Sequence, residues 1–309
     1  MKKWNLLINF SKVAIFFWMA VVIWQRFQNA PITLQWQHFV QIWQQHYRWL
    51  LMVMLLMPLN WLVEMLKWKL LLEHSGSVSF RQAGASVLGG VSTGFASPAR
   101  IGEFAGRALL LPQPLRIPSL YLSALGGLAQ SFVTFAVALA MLPFMNVSVK
   151  NIPSTFAAPL LTTFAVGLLL LFFFFEKFTT LLRFFPAVSI PETRLPTGVE
   201  RIKILSLSAF RYGIYLCQYA LLFRMAGITH APVELFAAVA VLLAMQSVSP
   251  LSPMADVVTR GGMALLLFPQ GNPAAVATAP FLLWCINLLL PAIAGYFFIL
   301  NWRDEPEGR

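Results

Sequence analysis

The sequence predicts an all-α polytopic membrane protein, with about six transmembrane helices and two re-entrant helical hairpins in an inverted repeat. Composition, apolar run length and the placement of basic residues predict it. Of 309 residues, 59% are hydrophobic and 11% charged, against about 25% charged in ordinary soluble domains. A soluble fold could not hide that much apolar surface. Apolar runs at 120–144, 156–175, 205–223 and 277–302 approach or exceed the roughly 20 residues that cross a bilayer as a helix. An outer-membrane barrel is disfavoured, because its strands are only about 10 residues long and alternate apolar with polar.

The net charge of +11 would suggest nucleic acid in a soluble chain. Here the basic residues sit between apolar spans and form no aromatic-interleaved patch, which excludes the usual nucleic-acid modules. Cys217 and Cys285 fall inside apolar spans and are expected to be small buried hydrophobes with no disulfide. Lys2, Lys3 and Lys12 ahead of the apolar stretch 13–23 imitate a signal peptide. Gln28 and Ala30 make a poor cleavage site, so this is expected to be an uncleaved first span.

The excess of Lys and Arg on the cytoplasmic side orients the rest. The N-terminus starts inside, and a second span at 50–66 returns inside near Lys67, Lys69 and Arg81. A third span from about residue 120 leads out to a connection carrying only Lys150. A fourth returns to 176–203, where Lys177, Arg183, Arg194, Arg201 and Lys203 cluster. The fifth exits near Arg224, and the sixth, 277–302, delivers a polar tail inside. The chain is expected to be a single membrane domain, 1–309, in a cytoplasmic-type inner membrane with both termini cytoplasmic.

Two segments remain, 83–111 and 233–268, each leaving and re-entering on one side. Each is broken near its middle by Ser-Pro, at Ser97-Pro98 and at Ser249-Pro250 with Ser252-Pro253. Serine caps helices and proline suits a first turn, so each break is expected to start a half-helix. The chain then divides into a first half, 1–143, and a second, 157–303, inserted in opposite senses. After each break comes an acid and, four residues on, an arginine: Glu103 with Arg107, and Asp256 with Arg260. Arg100 adds a third cation. Residues four apart share a helix face, and a charge near the bilayer centre costs about 2.5 to 3.5 kcal/mol on insertion scales. Such charges either mark a binding site or form self-neutralising structural pairs, and the spacing leaves both open.

Other signals are weaker. Glu64 and Lys67, three apart near the inner end of the second span, are expected to be a snorkelling, locally paired couple. Arg211 could anchor at the interface or reach a lipid phosphate. Trp36, Phe39, Val40, Trp43 and Tyr47 share a helical face, either an interfacial helix or an extension of the second span. His38, His46, His74 and His230 lack metal-ligand spacing. No nucleophile elbow, phosphate loop or zinc-protease pattern occurs, so no catalytic residues, metal or cofactor are expected.

The stretch Asn60-Trp61 through Lys67-Trp68-Lys69-Leu70-Leu71, then Gly89-Gly90, then Pro98-Ala99-Arg100-Ile101-Gly102-Glu103-Phe104-Ala105-Gly106-Arg107 resembles the lysylphosphatidylglycerol synthase transmembrane-region family, also called flippase-like. The span pattern extends the resemblance over nearly the whole chain. In the second half, Ser249 to Pro253 is proline-rich but lacks the glycines of such families. In the best-known relatives this region precedes a soluble aminoacyltransferase domain. Here the chain stops at Arg309, so the resemblance implies a standalone lipid-moving module, served by a separately encoded lipid-synthesising enzyme. Its cargo would be an anionic or aminoacylated phospholipid, or a polyprenyl-phosphate-linked lipid, bound through Arg100, Arg107 and Arg260 with Glu103 and Asp256 holding those arginines. The competing classes are a membrane enzyme using Glu103 or Asp256 as a lone base, and a non-transporting partner of a lipid-modifying enzyme.

Overall fold

The computed structural model describes residues 44–97, 100–145, 154–182, 194–248 and 253–301, with a few single positions before them. The first span at 13–23, most of the aromatic stretch 36–47, and Pro98, Ser249, Pro250 and Ser252 lie outside the described residues. Every regular element among the described residues is helical. Helices Tyr47–Leu72 (α1), Gln113–Phe144 (α4, ending in a 3-10 turn at Leu142–Phe144) and Pro273–Leu300 are long and apolar enough to cross a membrane. The fourth and fifth expected spans lie largely within Ser154–Phe173 (α5) and Gly198–Met225 (α7), with a short helix Phe175–Leu182 (α6) between them. The chain is an α-helical membrane protein.

The last long helix has a cause for its irregularity. It runs Pro273–Trp284 (α10), then a π turn Cys285–Leu289, then Leu290–Leu300 (α11). Pro291 has no N–H to give the carbonyl of Asn287, and its ring would clash with it. The widened turn relieves that clash.

Each expected hairpin is a pair of helices. The first pairs Phe80–Phe95 (α2) with Gly102–Leu109 (α3), and the second pairs Pro232–Ser247 (α8) with Pro253–Leu267 (α9). The half-helices begin later than Ser97-Pro98 and Ser249-Pro250 predict. In the first hairpin Arg100 has φ +57°, which no right-handed helix accommodates. The helix therefore starts only after it. Ser97 still acts as a cap at a distance: its Oγ accepts from the N–H of Gly102 at 2.8 Å. In the second hairpin the helix starts at Pro253, so the later Ser-Pro marks the start.

Close backbone approach joins α2 to its neighbours. Gly90 and Gly94 on α2 face Gly102 and Gly106 on α3, and both pairs are spaced as the small-x-x-x-small motif of membrane helices. A Cβ on Gly90 would stand 2.5 Å from Arg107 Cγ and 2.9 Å from the Glu103 carbonyl. A Cβ on Gly106 would collide with Thr93 Oγ1, and one on Gly295 of α11 with the carbonyl of Leu88. The Thr93 hydroxyl donates across the hairpin to the Gly102 carbonyl at 2.7 Å. A capping box at Ser79 and Gln82 starts α2, satisfying donors that would otherwise be orphaned.

The residues group into two compact units. One takes its described residues from Met1–Pro58, Thr134–Thr162 and Gly213–Asn287, and holds the second hairpin. The other takes them from Leu59–Val133, Thr163–Tyr212 and Leu288–Arg309, and holds the first. Cys217, expected to be buried, is exposed, and Cys285 is half-buried; both are free. An apolar run does not say whether a side chain meets protein or lipid, as the 72% exposed Leu55 on α1 also shows.

Candidate functional site

In the unit that holds the first hairpin, α3 begins right after the left-handed Arg100 and carries Glu103 in its first turn and Arg107 in its last. Both arginines reach Glu103. Arg100 Nη2 lies 2.8 Å from Oε2, and Arg107 Nη2 lies 2.8 Å from Oε1. The i,i+4 pair read from the sequence is therefore made, and Arg100 joins it.

The pair does not stand alone. Arg107 Nη2 also meets Glu64 Oε1 on α1 at 2.9 Å, and Glu64 Oε2 takes Lys67 at 2.7 Å and Arg211 of α7 at 3.3 Å. Glu64 is thus the hub on which three cations converge. Lys67, expected to snorkel, is instead buried at 3% side-chain exposure. Its stem cannot reach water while its ammonium is held by Glu64. Two tryptophans lay their rings on the arginines: Trp68 on Arg107 at 5.0 Å and Trp61 on Arg211 at 5.4 Å, contacts that gain strength where water is scarce. The Trp68 indole N–H donates to Ser86, and the Ser86 hydroxyl donates to the Arg107 carbonyl at 2.7 Å. That chain fixes the end of α3 against α1 and α2. The Arg211 guanidinium also donates to Gln130 Oε1 at 3.4 Å.

The charge does not balance. Among the described residues, Lys67, Arg100, Arg107 and Arg211 meet no carboxylates but Glu64 and Glu103, an excess of two positive charges. Side-chain exposure rises from 3–10% at Lys67, Glu64 and Arg107 to 22% at Glu103 and Arg211 and 39% at Arg100. Exposure is thus lowest at Lys67 and Glu64 and highest at Arg100.

In the other unit the second hairpin carries a smaller arrangement. Arg260 Nε lies 2.6 Å from Asp256 Oδ2, and its Nη1 donates to Gln246 Oε1 of α8 at 2.9 Å. Gln246 in turn donates to the hydroxyl of Tyr219 at 3.0 Å. One acid meets one base here. Asp256 sits in the first turn of α9, where the helix dipole favours a carboxylate. Asn287, in the π turn, donates to Gln218, and Gln218 donates to the Val53 carbonyl at 2.8 Å. Among the described residues no cluster of His, Cys, Asp and Glu could hold a metal ion.

The model of the family described as the lysylphosphatidylglycerol synthase TM region matches residues 9–295. The chain belongs to this family. No curated protein matches it. In this member of the lysylphosphatidylglycerol synthase TM region family, Arg100, Glu103 and Arg107 come together as the sequence predicts, and Asp256 and Arg260 pair in the other unit. Sequence reasoning missed Glu64 as the hub, Lys67 as a buried member, Gln246 and Tyr219. Glu64 and Arg211 did carry a signal, since each is an ionisable residue inside an expected span. Their mutual contact carried none.

Proposed function

We propose that this protein is a flippase-like transporter rather than an enzyme, moving the head group of an anionic or aminoacylated phospholipid, or of a polyprenyl-phosphate-linked lipid, between leaflets of the inner membrane. The observation that carries this is the excess of two positive charges in the half-buried cluster around Glu64. Charge that is removed from water without a counter-charge is expensive, so a site of this kind gains by taking an anion. Arginines bind phosphate through paired N–H donors, and acyl chains could stay in the bilayer while the head group passes. Every oxygen of Glu64 and Glu103 already meets a cation, which supports a charge-holding role for both over that of a general base.

Support for an inverted repeat comes from matching packing. In the first hairpin α2 packs against α11, the end of the sixth span, and in the second α8 packs against the 3-10 turn that ends the third. The last span of each half thus serves the hairpin of the other. The unit with the first hairpin also holds Lys67, Lys69, Arg81 and the basic stretch 194–203, the cytoplasmic side of the charge map. Both termini are then cytoplasmic.

The test is leaflet transfer in vesicles containing the purified protein, followed with head-group-labelled phosphatidylglycerol and phosphatidylcholine. Transfer of the anionic lipid alone, lost in Arg100→Gln, is the expected result. Equal transfer of both lipids, or full transfer by the variant, would defeat the proposal.

A further inference from the structure

We infer that the head group taken by the first-hairpin site is a phosphomonoester, carrying two negative charges and no ammonium; this rests on the lipid-moving reading and narrows it. Three observations on the cluster agree. The excess of positive charge is two, so a phosphodiester with one charge would leave a cation unbalanced in a poorly solvated place. The carboxylates are already occupied by cations. Glu103 gives one oxygen to Arg100 and the other to Arg107, while Glu64 gives one to Arg107 and the other to Lys67 and Arg211. A lysyl or other aminoacyl head group would bring a further positive charge into a cluster that already holds two in excess, where each carboxylate oxygen already meets a cation.

The donors, by contrast, are in surplus. Arg100 and Arg211 each have an Nε that is buried with no hydrogen-bond partner, and they are the more exposed cations of the cluster, with side chains 39% and 22% exposed. A phosphomonoester offers three non-bridging oxygens as acceptors. Lys67 and Arg107, closed off at 3% and 10% exposure, contribute as fixed charge.

The experiment uses the full chain in phosphatidylcholine nanodiscs, with phosphatidic acid as the monoester probe, phosphatidylglycerol as the diester, lysyl-phosphatidylglycerol as the aminoacylated lipid, and glycerol 3-phosphate as a soluble competitor. At pH 8 phosphatidic acid is expected to bind about tenfold more tightly than phosphatidylglycerol, one further charge-assisted contact converted to affinity. The advantage should disappear towards pH 5, because the second phosphate proton returns with a pKa of about 6. Arg211→Gln should erase the monoester preference, bringing phosphatidic acid down to the affinity of phosphatidylglycerol, and Arg100→Gln, at a more exposed position, should do the same if the first variant folds poorly. Equal binding of monoester and diester at pH 8, or a preference for the lysyl lipid, overturns the dianion inference and leaves the lipid-moving reading intact. Displacement of phosphatidic acid by an equal concentration of glycerol 3-phosphate keeps the dianion and overturns the lipid. Binding of no anionic lipid above phosphatidylcholine overturns both.

Discussion

At Arg107 two carboxylates from different helices share one guanidinium. Removing it leaves Glu64 with Lys67 and Arg211, and leaves Glu103 with Arg100 alone. Taking one partner from a buried ion pair costs about 3–5 kcal/mol, so Arg107→Ala should fall well below the wild type in thermal stability. Glu103→Gln in the same chain should recover part of the folding loss, but not lipid movement, because neutralising the acid restores balance without restoring a phosphate donor. Lysine at 107 should rescue only partly, since it keeps the charge and loses the planar fork. Full lipid movement by the double variant would show that the pair is only structural. The Glu103–Arg107 and Asp256–Arg260 pairs were legible from sequence because four-residue spacing is set by the helix itself. The bond from Glu64 to Arg107 joins residues 43 apart, and nothing local specifies it.

At the scale of the element, the first hairpin depends on the absence of side chains. Gly106→Ala would drive a methyl group into Thr93 and towards the backbone of Gly89 and Gly90. Gly127 on α4 has nothing within 4 Å of where its Cβ would lie, so Gly127→Ala should be neutral or stabilising by about 0.4–1 kcal/mol. A pair of melting curves distinguishes the two. Equal melting temperatures would mean that the close α2–α3 approach does not hold the hairpin. The start of α7 carries a separate pH dependence. Glu200 lies ahead of the apolar stretch 205–223, and its carboxylate accepts from the N–H and hydroxyl of Thr197, both at 2.7 Å, with His74 Nε2 at 2.9 Å. These contacts, the Thr197 N–H first, hold its pKa down at about 2, from 4.5. A depressed carboxylate pKa contributes stability that is complete above the unfolded value and is lost as pH falls towards the folded one. The Glu200 contribution should therefore be constant from pH 8 to pH 5 and fade between 4.5 and 2. Glu200→Gln should flatten that acid limb, and an unchanged limb would assign it to other groups. Element positions were legible in the apolar runs. The helix starts were displaced because Ser-Pro marks a break without showing that Arg100 would take a left-handed turn inside it.

At the scale of the molecule, the charge map has the two halves entering the membrane in opposite senses. Five helices contribute a stretch to each compact unit: α1, α4, α5, α7 and the final helix. Each unit holds one hairpin and one charged arrangement. If the basic stretches 67–81 and 194–203 are cytoplasmic, the connection after α4 must be outside. Ser148 and Ser189 provide the test, because serine to cysteine changes one atom and neither position is in an apolar run. The native Cys217 is exposed and must be removed first, along with Cys285. In a Cys217→Ala, Cys285→Ala background, Ser148→Cys should react with a membrane-impermeant maleimide in intact cells, while Ser189→Cys should react only after the membrane is opened. Labelling of both positions from the same side would break the alternation on which the inverted repeat rests. The first hairpin would then have to open to the side opposite its basic flanks, against the tendency of Lys and Arg to stay inside.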